Sequence, residues 1–498
     1  MEPPSRVDGS TVPQLEAPGQ WEEAGLTGSL RVQVEGSMFA VDRTLLGRNS
    51  EYFRALFRSG MRESHQDEVR LQGLKARGFL LVLAVSRGER PSLGDPDEIV
   101  EAVECAAFLQ VDALIQHLID VLDTENCFLL LHTAAVFGVW RLVHSAAVFI
   151  RDAYRDLQEA ALNLPEEMVR YVESLAPASF IALGTHSPSL KILQDSSRTV
   201  WSLNEKKGAW CYLTDLPTEA STSMAGVAVV GNRLYVVGGV RGVSKVTVDS
   251  SFCYDAESNS WSAFAGPQQS RYNFTLVGRE GRLYAFGGEF ENCVMASAEA
   301  CDLSARKWTF VKHAPRPVAG AASAVARRRV FVCFWEPPDT TDIYEYTPDR
   351  DEWSLTTTLI RPQSYGHCMV AHGEQLFVMR NGPCDDFLRC LMDCYNITTG
   401  QWTAMQGHYI NSRGALFTAV VRGDSAFTVN RDLTLEYRIC RGVWKPHRQM
   451  QGFPKTGSLW TCLLRLPKTT DTEQIISSEK SPETAGDDQN EKDTMVVN

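Results

Sequence analysis

Along SLRVQVEG, from Ser29, apolar Leu30, Val32 and Val34 alternate with polar neighbours, as in a half-buried strand, and MFAVD (38–42) predicts a second short strand. The period then lengthens. In SEYFRALF (50–57), Tyr52, Phe53, Leu56 and Phe57 fall on one helical face, with Ser50 as N-cap and Gly60 where the helix should stop. EVRL (68–71) predicts a strand and ARGFLLVLAVSRG (76–88) a helix, and residues 97–122 carry the pattern of two short helices. A small sheet edged by helices over residues 29–123 makes an α+β domain with its own core.

The back half repeats. Tryptophans at 210, 261, 308, 353, 402 and 444 stand 42 to 51 residues apart, the length of a propeller blade. After each of the first five comes a run of small apolar residues (AGVAVV, FTLVG, AASAVA, GHCMVAH, ALFTAVV), then a second strand (LYVVGG, LYAFGG, VFVCFW, LFVMRN, AFTVN) and a third ending near Tyr or Asp. The fourth strand carries the next Trp. Small inner residues suit strands that converge on an axis. Five units are complete. SLWTCLLRL (458–466) supplies an inner strand with none behind it, and SLKIL (189–193) and TVWSL (199–203) precede Trp210 with none ahead. The two ends together make a sixth blade, closing the ring and removing exposed strand edges. The expected propeller spans 188–466, with its first second-strand near Pro188.

Composition narrows the function. The 498 residues carry a formal net charge of -12, which argues against a nucleic-acid binder. No run of about 18 apolar residues predicts a membrane span. The Pro- and Gly-rich residues 1–28 lack a signal-peptide pattern, and the Thr-, Ser- and acid-rich residues 467–498 bury too little to fold; both are expected to be disordered. Thirteen cysteines without a CxxC pair suit a reduced cytoplasmic protein. Cys384, Cys390 and Cys394, near His367 and His372, do not have the spacing of a zinc finger, and Cys394 reads as a buried strand thiol. No HExxH, GxSxG, P-loop or GxGxxG motif occurs, so neither a cofactor nor an enzyme is expected.

The double glycines 238–239 and 287–288, the Tyr/Asp third strands and the Trp spacing resemble kelch repeats, although the third unit has Phe334-Trp335 there and the fourth Asn381-Gly382. YFRALFRSGMRE, EVRL and AAFLQVDAL resemble the BTB domain, and TENCFLLLHTAAVFGVWRLVHSAAVFIRDAYRDL resembles the helical BACK region, here shortened to residues 124–187. The expected chain is therefore multidomain: an α+β BTB domain, a short BACK-like helical linker and an all-β six-bladed kelch propeller.

That resemblance implies a substrate adaptor of a cullin-three ubiquitin ligase, with the BTB domain dimerising and holding the cullin while the propeller holds an unidentified protein substrate. The family's cullin-contacting hydrophobic-x-Glu motif maps onto Met61-Arg62-Glu63 in RSGMRESHQDE, where Met61 is the one apolar side chain. By its residues alone, Met61 reads as a cover for its own helix end. Phe128 and Leu129 would extend the cullin contact. Leu30, Val32, Leu45, Leu46, Tyr52 and Phe53 read equally as core or as dimer interface. On the propeller, a basic residue recurs eight to eleven positions after successive tryptophans: Arg271, Arg316, Arg361 and Arg413, with Tyr272 and Tyr365 beside two of them. Arg with Tyr is interface hot-spot chemistry, and the alternative is a set of solvated turns. Arg327-Arg328-Arg329 reads as a turn. The runner-up function is a cytoskeletal or sarcomeric scaffold that binds actin filaments through a BTB dimer.

Overall fold

A computed structural model describes residues 28–60, 66–161, 163–185, 199–221, 223–241, 244–336, 340–360, 365–381, 389–405, 409–410, 418–429, 434–447 and 458–467. The two segments expected to be disordered lie outside these residues, apart from Gly28 and Pro467. The chain divides into two compact units, one of residues up to Leu118 with Thr133–Leu142, the other of Ile119–His132 with Val143 onward.

In the first unit, strands β1 (Ser29–Val34) and β2 (Ser37–Asp42) form a hairpin, and β3 (Glu68–Leu71) joins β1 in parallel on its other side. Glu35 and Gly36 both take positive φ, the geometry a two-residue hairpin turn requires. Helices follow at Arg43–Asn49 (α1), Glu51–Arg58 (α2), Ala76–Ser86 (α3), Pro96–Leu109 (α4) and Asp112–Asp120 (α5). The structure sorts the residues that the sequence left open: Leu30, Val32, Leu46 and Phe53 are core, whereas Leu45 and Tyr52 remain partly exposed.

Four helices come next, Cys127–Val136 (α6), Trp140–Asp152 (α7), Tyr154–Ala161 (α8) and Glu166–Ser174 (α9), and then six sheets of four or more strands. From the axis outward (a to d), blade one is Gly226–Val230, Arg233–Val237, Ser251–Asp255 and Ser260–Phe264. Blade two is Thr275–Arg279, Arg282–Phe286, Ala298–Asp302 and Lys307–Val311. Blade three is Ser323–Ala326, Arg329–Glu336, Thr340–Thr347 and Glu352–Ile360. Blade four is Tyr365–His372, Gln375–Asn381, Arg389–Asn396 and Gln401–Ala404, and blade five Thr418–Arg422, Ser425–Val429, Thr434–Arg438 and Val443–His447.

The sixth blade is stitched from both ends, as expected, but its second strand corrects the sequence reading. Ser458–Arg465 pairs along its whole length with Ala178–Thr185, followed by Thr199–Asn204 and Ala209–Asp215. The propeller therefore begins at Ala178, inside the stretch assigned to the helical linker, and not at 188; SLKIL (189–193) lies outside the described residues. Counting back from Trp210 assumed a tight turn, whereas 13 residues (186–198) separate the second and third strands here. Each innermost strand packs against the next, and Ser458–Arg465 returns against Gly226–Val230, closing the ring. Closure is also polar: the Asn232 side chain donates to the Arg465 carbonyl (3.0 Å) and accepts from its N–H (2.7 Å).

The tryptophan period has a physical cause. In blades one, three, four and five the d-strand Trp faces a c-strand Tyr across the ladder, Tyr254–Trp261, Tyr346–Trp353, Tyr395–Trp402 and Tyr437–Trp444, with ring centroids 5.0–5.2 Å apart. The triple arginine at 327–329 does more than make a turn: Arg327 pairs with Glu374 of blade four, Arg328 with Glu280 of blade two, and Arg329 with Glu345 of its own blade. Within the same unit Asp152 of α7 accepts from the Ala178 N–H (2.9 Å) and from both terminal nitrogens of Arg465 (2.9 and 2.5 Å), tying the helices to the closing blade.

Blade five carries an acid-sensitive cluster. Glu436 accepts from His447 (2.8 Å), Ser425 and Arg438, and chiefly the His447 hydrogen bond holds its carboxyl down at about 2. Because the folded value lies below the ordinary 4.5, this group's stabilisation is complete above about pH 4.5 and lost as pH falls through about 2. Urea unfolding from pH 2 to 6 should show Glu436→Gln less stable at pH 6, with a shallower acid-side loss than the unaltered chain.

Candidate functional sites

The first candidate lies in the first unit. The Ser50 hydroxyl caps α2 by accepting from the Phe53 N–H (3.2 Å) and donates to the Leu109 carbonyl (2.6 Å), which fixes α2 against the end of α4. Tyr52 then meets Phe108 with ring centroids 5.3 Å apart. Phe108 borders a shallow cavity of about 320 Å³ lined also by Gln72, Gly73, Leu74, Glu104, Ala107 and Phe137. Val136, Phe137 and Trp140 stand 66%, 37% and 72% exposed, and Phe108 47%. Arg141, beside Trp140, pairs with Asp112 and donates to Gln116 of α5, so the turn that presents these side chains is anchored. Exposed aromatics at a concave surface, here Phe108 and Phe137, are the anatomy of a protein-binding site.

Met61 and Glu63 lie outside the described residues, although α2 ends three residues before Met61 with its Ser59 cap. Phe128 and Leu129 are half-buried on α6. Sequence reasoning missed Phe108, Phe137 and Trp140. Phe108 and Trp140 lie on helices with buried apolar faces and Phe137 in the turn after α6, and one apolar residue too many in such stretches is a weak signal.

On the propeller, strand order sends every b–c connection and every d–a connection to the same end of its blade. Arg271, in the first d–a connection, is not at the surface. Its guanidinium is fully buried, pairs with buried Glu299 (2.7 Å), and donates to the carbonyls of Gly287 (2.8 Å) and Ser297 (3.0 Å). Tyr272 is 2% exposed, its backbone bridged to Glu289 and the Lys245 ammonium 5.8 Å from its ring centre. These two expected partner-binding residues are internal struts: buried Glu299 and the Gly287 and Ser297 carbonyls draw the Arg271 guanidinium inward, and Tyr272 is covered beside it. Arg316 repeats the arrangement half-buried, bonded to the Phe334 carbonyl (2.9 Å) and Asp342 (3.3 Å). Arg361 and Arg413 lie outside the described residues. Tyr365 begins the first strand of blade four, with its side chain likewise outside.

Among exposed polar residues such as Arg241, Glu291 and Asn292, this end also presents apolar side chains. Val246 (61%) and Val294 (48%) project from small hairpins after the b strands of blades one and two, and Trp335 (42%) and Ile360 (66%) end strands of blade three. Burial pushes Cys394 up to about 11 and Cys333 up to about 12, so these thiols are packing groups and not nucleophiles. Among the described residues no cluster of three or more His, Cys, Asp or Glu has metal-binding geometry, and no helix is long and apolar enough to cross a membrane.

Comparison with known proteins agrees with both units. The BTB/POZ domain model matches residues 23–126, and a KLHDC2/KLHL20/DRC7 Kelch-repeats domain model matches residues 184–382. The chain is 52% identical over 438 residues to human Kelch repeat and BTB domain-containing protein 13, spanning 88% of this chain and 95% of that one. Its mouse counterpart is 51% identical over 441 residues, 89% and 96% of the two chains. Human Kelch-like protein 42 is 26% identical over 529 residues, 89% of this chain and 99% of the other.

Proposed function

Because the chain belongs to the family of kelch repeat and BTB domain-containing proteins, we propose that it is a non-catalytic substrate adaptor of a cullin-three RING ubiquitin ligase. In this reading it works in the cytoplasm as a homodimer joined through the BTB domain. The observation that carries the proposal is the pair of exposed aromatics that line the cavity of the first unit, Phe108 and Phe137, with exposed Trp140 three residues further on. Large apolar side chains held in water by an anchored helix and turn are stabilised when a partner covers them. Met61 and Glu63 follow α2, whose Tyr52 packs on Phe108, and supply an apolar anchor and a charge that sets register. The substrate is held at the propeller end that exposes Val246, Val294, Trp335 and Ile360.

The test is a titration of the full chain with the N-terminal domain of cullin three. Phe137→Ala with Trp140→Ala should weaken binding at least tenfold, about 1.4 kcal/mol or more. Met61→Ala with Glu63→Ala should cost about 1–3 kcal/mol, the scale of a buried anchor. Undiminished binding by both double variants, or none by the unaltered chain, sinks the proposal. In that last case cosedimentation with actin filaments would favour the scaffold reading.

A further inference from the structure

Two residues before each blade tryptophan the backbone turns left-handed: Gly208, Asn259, Arg306, Asp351, Gly400 and Gly442 all have φ between 48° and 69°. Glycine adopts this conformation freely and Asn or Asp at small cost, whereas a long side chain is strained there. Five of the six positions obey that rule. In blades one and three the Asn or Asp also binds the c-strand tyrosine, Tyr254 to Asn259 (2.8 Å) and Tyr346 to Asp351 (2.7 Å). Blade two differs twice. The tyrosine is replaced by Cys301, which faces Trp308, and the turn residue is Arg306, which makes no hydrogen bond or ion pair among the described residues. The strained, exposed Arg306 therefore lacks the side-chain hydrogen bond that supports the turns of blades one and three, and of the described residues only the Cys253 thiol in blade one feels its charge.

Its surroundings supply a use. Arg306 borders a cleft of about 180 Å³ between blades one and two, with Arg233, Tyr235, Ser258, Ser260 and Ser262 on the facing wall. Asp255, also in the wall, pairs with Arg233 (2.9 Å) and offsets one of the two positive charges, leaving Arg306 uncompensated. A guanidinium presents a planar fork of donors, and serine hydroxyls turn to donate to an anion; together they match the oxygens of a phosphate. The volume admits a phosphate group with a short stem but nothing much larger. We propose that the cleft between blades one and two binds a phosphate group through Arg306, Arg233 and the three serines, as free phosphate or carried on a serine side chain.

Calorimetric titration of the full chain with inorganic phosphate, O-phosphoserine and serine tests this. Arg306→Asn restores the residue type of blade one, so the variant should fold at least as well as the unaltered chain while losing tenfold or more in affinity for both phosphate probes. Arg441→Asn, the same charge loss on the exposed turn of blade five, should change neither. Tighter binding of O-phosphoserine than of phosphate assigns the site to a side-chain phosphate, and equal binding assigns it to the free ion. Absence of phosphate binding by the unaltered chain, equal affinity in Arg306→Asn, or an equal loss in Arg441→Asn overturns the proposal.

Discussion

Glu299→Ala is expected to lower the unfolding free energy of the full chain by about 3–5 kcal/mol, measured by urea unfolding. Glu299 is fully buried and accepts three charge-assisted hydrogen bonds, from Arg271 (2.7 Å) and from the N–H groups of Gln268 (2.7 Å) and Gln269 (3.1 Å). Removing the carboxylate strands a buried guanidinium and two backbone donors at once. Burial already draws Arg271 below its ordinary value, an effect that Glu299 opposes, so no solvent is at hand to take over. The cost of the single change is therefore the cost of an orphaned charge, not the worth of the pair. Removing both partners, Arg271→Met with Glu299→Met, should be milder than Glu299→Ala alone. Asp342→Ala, which breaks the half-exposed Arg316 pair of blade three, should cost much less, because water can reach Arg316. Equal losses for Glu299→Ala and Asp342→Ala would show that burial does not set the energy of these struts.

The same pair marks where sequence reading ran out. The recurrence of arginine after four successive tryptophans was visible and real, but period reports position and not direction. Arg271 points inward because its partner sits on the third strand of the next blade, 28 residues away, and no local pattern encodes that distance. Blade number was legible because the Tyr–Trp cross-strand pair is a local hairpin contact repeated at fixed spacing. Helix α2 was legible because Ser50, its apolar face and Gly60 all agree on one element. The second strand of blade six was not, since its pairing with Ser458–Arg465 joins residues more than 270 positions apart. The exposed aromatics at Phe108, Phe137 and Trp140 fall in the same class: which apolar residue on or beside a helix is left uncovered depends on tertiary packing.

The double glycines also divide the blades physically, and Gly287→Ala tests how. In blades one and two the b strand stops at Val237 or Phe286, and the glycines redirect the chain into a two-residue hairpin. In blade three, where Phe334 and Trp335 stand instead, the b strand runs straight on to Glu336. Gly287 has φ +62°, and a Cβ there would lie 2.2 Å from the Val318 carbonyl oxygen and 2.7 Å from its Cγ1. The left-handed conformation costs a non-glycine residue about 1–2 kcal/mol. Overpacking against the next blade's connection adds about 1–3 kcal/mol. That connection is held by the Gly288 N–H donating to the Val318 carbonyl (2.7 Å), so it cannot retreat without losing a hydrogen bond. Gly287→Ala should therefore destabilise the chain by about 2–5 kcal/mol. Gly281→Ala, in a turn of the same blade with φ +74° and nothing within 4 Å, isolates the conformational part and should cost only about 1–2 kcal/mol. If urea unfolding gives the two variants the same loss, the blade absorbs the clash and backbone conformation alone accounts for the glycine.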